Sequence, residues 1–303
     1  MYAIKKVHNI QKKRMKLQLG IALVMTALVL ILRVVLMPLL RDPDTGRFML
    51  SAAILVPMAL AVAVLAVIAF FVPRERVDIA KGATVSVSLT ALFAGAMLAI
   101  ETLWDAFNFV FYRTTPAPAS TTVTGVSGVV LGLLFMCGIG GGVYLVLWGM
   151  QLASEDGTRV GMGAWGALLP VLWVWMRLAR YEMSYASAAA LTDVFYDFLM
   201  LIFEMLFLFK MARFVSGIGK TTPGGLMFLS LGTALFTLTG TLTRVAMYLM
   251  QDTTAYLSSE LAGFSDFAIG LMALAFASAL CKSVGEIPQP SEESASGDGS
   301  SQA

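Results

Sequence analysis

The sequence predicts an all-α fold: a polytopic integral membrane bundle of eight transmembrane helices with both termini in the cytoplasm. Three observations predict it. Hydrophobic residues make up 58% of the 303-residue chain and charged residues only 13%, at a mean hydropathy of +0.81; a soluble domain carries about 25% charged residues. Apolar stretches of about twenty residues, enough to cross the hydrocarbon, recur along the chain. Lys and Arg concentrate in alternate connecting segments, as the positive-inside rule requires.

The elements follow in order. Residues 1–16 hold Lys5, Lys6, Lys12, Lys13, Arg14 and Lys16, a cytoplasmic basic arm suited to an anionic leaflet. The apolar run behind it, Leu17–Leu40, is longer than a signal-peptide core and no small-x-small cleavage site follows. It reads as span 1 of a transmembrane domain over residues 17–281. Span 2, about Phe48–Val72, has no charge and is expected to face lipid. Span 3, about Ala83–Tyr112, carries Glu101, Trp104, Asp105 and Asn108 at helical spacing, one polar face. Span 4, about Gly125–Met150, pairs Gly128 with Gly132 and Gly138 with Gly142, small residues that let helix backbones approach.

Span 5, about Gly161–Tyr181, ends in Trp173, Trp175, Arg177 and Arg180, with both tryptophans expected near the interface. Span 6, Leu191–Phe209, carries Asp193, Asp197 and Glu204 on one helical face. Span 7, about Gly224–Met250, has Thr233, Thr237, Thr241 and Arg244 along one stripe, and span 8, about Leu261–Leu280, begins with Ser265 and Asp266. Residues 286–303 are Ser, Gly, Glu and Pro without an apolar run, a disordered cytoplasmic tail. With both ends inside, the outer segments hold only Arg41, Arg47, Arg113, Arg177 and Arg180, and the cytoplasmic segments hold most of the other cations.

Charges inside spans carry the functional expectation, because each one costs roughly 3 kcal/mol or more in hydrocarbon. At 1.5 Å rise per residue, Asp105, Asp197, Arg244 and Asp266 all fall roughly 8–14 Å from the outer ends of their spans. Arg33 lies in the same half and Glu101 near the midplane. Four cations (Arg33, Arg177, Arg180, Arg244) thus face five anions (Glu101, Asp105, Asp193, Asp197, Asp266) at similar depth. This predicts a transporter-like protein whose charged cavity, lined also by Asn108, opens in the extracytoplasmic half and takes a small charged or zwitterionic solute. The alternative is a sensor, accessory or assembly subunit whose charges are structural ion pairs. Glu204 lies deeper and stands apart, either a proton-coupling carboxyl or a neutral acid bonded to a neighbouring helix.

Several functions are excluded or disfavoured. The single histidine, His8, sits in the basic arm, so no Ser-His-Asp, His-zinc or HExxH site can be assembled. Cys137 and Cys281 lie in separate spans without CxxC spacing. GIGKTT at 217–222 resembles the end of a phosphate loop, but the pattern requires glycine where Phe214 stands. No metal site and no cofactor are expected, enzymatic activity is disfavoured, and a net charge of +2 suggests no nucleic-acid partner. The expected surroundings are the bilayer itself.

Overall fold

The computed structural model describes residues 2–39, 52–70, 84–114, 128–154, 165–185, 192–216, 223–251 and 263–283. The 286–303 tail and the Asp193 side chain lie outside the described residues, as do most residues between the predicted spans. Within them the chain is all-helical: α1 (Tyr2–Leu39), α2 (Ala52–Phe70), α3 (Thr84–Thr114), α4 (Gly128–Ala153), α5 (Leu169–Tyr185) behind a 3-10 turn at Gly166–Leu168, α6 (Thr192–Val215), α7 (Pro223–Gln251) and α8 (Phe264–Ser283). Five helices contain stretches long and apolar enough to cross a membrane: Leu19–Leu36, Val85–Asn108, Val129–Ala153, Gly224–Ala246 and Phe264–Lys282. Helix α2 contributes a shorter apolar segment, Val56–Val67. Helix α5 has only 17 residues, and α6 carries Asp197, Glu204, Lys210 and Arg213 within its apolar sequence.

Helices α3 to α8 pack in chain order and close on themselves, because α8 returns to lie along α3. Helices α1 and α2 pack on each other and cover the outer side of α7. That cover explains the burial pattern. In α7, 83% of the apolar stretch is buried, against 17% in α1, whose Leu23, Val24, Leu28, Ile31 and Val35 are exposed. An apolar outer face on every peripheral helix is what a lipid solvent requires.

The tightest contact joins α3 and α4 through missing side chains. A Cβ on Gly95 would stand 2.6 Å from the Gly142 carbonyl oxygen, and one on Gly149 2.9 Å from that of Ser88. The Ser88 hydroxyl donates to the Gly149 carbonyl oxygen at 2.6 Å across this seam. Gly138 and Gly142 therefore act as the spacing predicts, while Gly132 meets nothing within 4 Å. Spacing alone does not say which face has a partner.

Helix α1 runs unbroken from Tyr2, because residues 2–19 contain neither Gly nor Pro and are mostly good helix formers. Trp173 does not face the surroundings of the bundle. It is 1% exposed and points into the bundle, whereas Trp175, about 200° further round the helix, is exposed.

Candidate functional site

The closed set α3–α8 brings charges from four helices to its centre. Arg177 projects inward from α5. Its guanidinium pairs with both carboxylate oxygens of Asp266 on α8, Nη2 to Oδ2 at 3.2 Å, and with Glu101 of α3 at 3.3 Å. Trp173, one turn earlier on α5, lies with its ring 4.6 Å from the Arg177 Cζ, so the cation is held by a fork on one side and a π face on another.

The start of α8 explains why Asp266 is there. Gly263 adopts φ +47°, and its carbonyl oxygen accepts the first helical bond, from the Phe267 N–H at 2.9 Å. The next orphan donor of that turn, the Ser265 N–H, is capped from outside the helix by Glu101 Oε2 at 3.0 Å. Glu101 stands roughly 20 Å short of the end of α3 at Thr114. Helix α8 therefore begins beside the middle of α3, with its positive end and the first-turn Asp266 both buried.

Glu204 of α6 joins this centre, which corrects its expected isolation. It is 0% exposed, and its electrostatic neighbours are Asp266, Arg177 and Glu101. Neither carboxyl oxygen has a hydrogen-bond partner; Asp266 is close without reaching hydrogen-bond geometry. Other buried polar atoms without partners cluster nearby. Trp173 Nε1 lies a turn from Arg177. Thr241 Oγ1 is one turn beyond Thr237, which packs against Gly270, so it stands level with Asp266 on the antiparallel α8. Buried polar atoms are normally satisfied, so such a concentration marks a polar locus.

The other candidate charges form simpler contacts. Arg180 meets Asp105 at 3.0 Å, with a third of the Arg180 side chain and 30% of that of Asp105 exposed. Arg244 of α7 pairs with Asp197 of α6, and its charge also reaches Asp266. Asn108 is half-buried and stays outside these pairs. Arg33 of α1 lies 3.3 Å over the Tyr196 ring, whose hydroxyl donates to the Phe236 carbonyl oxygen at 2.7 Å and abuts the Thr239 hydroxyl. Tyr196 and the inward Trp173 were not among the expected site residues. Their spacing of four from Met200 and Arg177 respectively, on buried faces, is the signal that points to them.

Among the described residues no group of three or more His, Cys, Asp or Glu has the arrangement of a metal site. The chain matches no family model, no curated protein and no solved structure in the comparisons made.

Proposed function

We propose that this chain is a transporter-like multi-pass protein of the cell membrane, with eight spans and both termini in the cytoplasm. Its working centre is the Arg177 cluster, in the extracytoplasmic half of the bundle, and its ligand is a small solute carrying a carboxylate, anionic or zwitterionic. Arg177 meets the solute carboxylate; Glu101 and Asp266 hold the guanidinium in place and accept from an ammonium group when the solute has one. Arg180, Asp105, Asp197 and Arg244 line the approach.

One observation carries this reading. One half-buried guanidinium pairs with carboxylates from two other helices, and a third acid beside them, Glu204, is fully buried with no hydrogen-bond partner. A network serving only to lock helix register would be expected to satisfy its own members, since a buried unpaired acid weakens the fold. The capping of the α8 N-terminus by Glu101 inside the bundle also supports it, because helix N-termini aimed at anionic groups recur in transporter substrate sites.

A second reading, a sensor or assembly subunit with structural charges, is favoured by the ion pairs Arg180–Asp105 and Arg244–Asp197. The two readings separate in a thermal-shift screen of detergent-purified protein against amino acids, dicarboxylates and betaines. A transporter-like centre gives a rise in Tm with one or more of these solutes, lost in Arg177→Lys, which keeps the charge but not the fork, and kept in Arg180→Ala. A screen without any response, or a response indifferent to Arg177→Lys, contradicts it.

A further inference from the structure

The salt bridges of the centre leave Glu204 out, and its surroundings identify what it can bind. Facing it are Asp266 from α8, Arg177 from α5 and Glu101 from α3; Arg244 from α7 acts on Asp266 while paired to Asp197 of α6 itself. Two hydroxyls of α7 are committed elsewhere. Thr233 donates to the Phe203 carbonyl oxygen at 2.9 Å and Thr237 to that of Thr233 at 2.8 Å. Two carboxyls are therefore neighbours, both fully buried, and neither Glu204 oxygen has a hydrogen-bond partner.

Small cations differ in what they demand. A sodium ion needs several oxygen ligands, and in membrane proteins it is held by unwound carbonyls and helix C-terminal ends. Here the adjacent helix end is the N-terminus of α8, which is positive, and Arg177 adds a full charge beside it. Both oppose a metal cation. A proton needs only one carboxyl oxygen, and a carboxylic acid can then donate to the neighbouring carboxylate, giving both groups a partner.

We propose that Glu204 and Asp266 form a proton-binding acid pair, and that protonation of Glu204 loosens the Asp266 fork so that Arg177 can take the solute carboxylate. The proton comes from hydronium and bonds to a Glu204 carboxyl oxygen. The new O–H donates to an Asp266 oxygen, which then no longer serves Arg177 alone. The guanidinium N–H released from that oxygen donates to the incoming carboxylate, and Glu101 keeps the side chain aligned. Proton and anion binding reinforce each other, by the reciprocity that links any two coupled sites. The second half of this proposal rests on the reading of Arg177 as the solute-binding residue; the first does not.

The test is infrared difference spectroscopy on the full chain in lipid, between acidic and alkaline buffers. The wild type should show a carbonyl stretch of a protonated carboxyl that shifts in deuterated water. Glu204→Gln should lose that band and release one proton fewer in a parallel pH-jump titration, and Glu204→Asp should restore both, which guards against a folding defect in the amide variant. No such band in the wild type, or a band unchanged in Glu204→Gln, overturns the proton site. A band that sodium chloride but not choline chloride removes at constant pH also overturns it, in favour of a metal cation. If the band is lost as expected but the solute-induced rise in Tm does not become proton-dependent, the release of Arg177 is overturned. If the proton site fails while that rise persists, the solute reading stands without it.

Discussion

The Arg177 centre and the Arg180–Asp105 contact are built from the same residue types, a few ångströms apart along α5, yet they differ in kind. Arg180 meets the Asp105 carboxylate, both side chains a third or so exposed. Arg177 meets two, with a third acid close by, and Asp266 is fully buried. Solvent and headgroups screen the first contact, so it adds little to stability. Nothing screens the second, so each charge there depends on the others. The Arg244–Asp197 pair lies between, with side-chain exposures of 30% and 12%. Excess acid is tolerable in the interior only if something neutralises it, and this separates a centre that exchanges a bound species from pairs that only fasten helices.

Breaking each contact in turn grades the comparison. Arg177→Ala strands Asp266 and Glu101 in the interior and should lower unfolding free energy by about 3–5 kcal/mol, read as a lowered midpoint in denaturant titration of detergent-purified protein. Asp197→Ala should cost about 1–3 kcal/mol in the same titration, between the buried and exposed limits. Arg180→Ala should cost about 0–1 kcal/mol. The charge swap of Arg180→Asp with Asp105→Arg should restore that small loss, whereas Arg177→Asp with Asp266→Arg should fail, because Glu101 and the positive end of α8 both face the swapped pair. Equal costs for Arg177→Ala and Arg180→Ala would erase the distinction.

The sequence makes part of this legible. Charges in apolar stretches announce themselves, and Glu101, Arg177, Asp197, Arg244 and Asp266 all enter ion pairs in the structure. What it conceals is relative depth. Counting along each helix from its presumed outer end set Glu204 apart, because hydropathy does not reveal that the start of α8 lies beside Glu101 of α3. Facing is the other hidden quantity. Trp173 and Trp175 look equivalent in sequence, and so do Gly132 and Gly142, but only Trp173 and Gly142 have a helix in front of them. Periodicity marks a stripe; the partner comes from the closed packing of α3 to α8, which no local pattern encodes.

The central claim is that the buried centre works and the half-exposed pairs fasten. Charge-displacement currents on a solid-supported membrane test it most directly, with proteoliposomes exposed to the same amino acids, dicarboxylates and betaines. The account predicts a solute-evoked current in the wild type and in the Arg180→Ala, Asp105→Ala double variant, abolished in Glu204→Gln and Arg177→Lys proteins that remain monodisperse. Currents that vanish in the double variant but persist in both centre variants, or no current in the wild type with any solute, would contradict it.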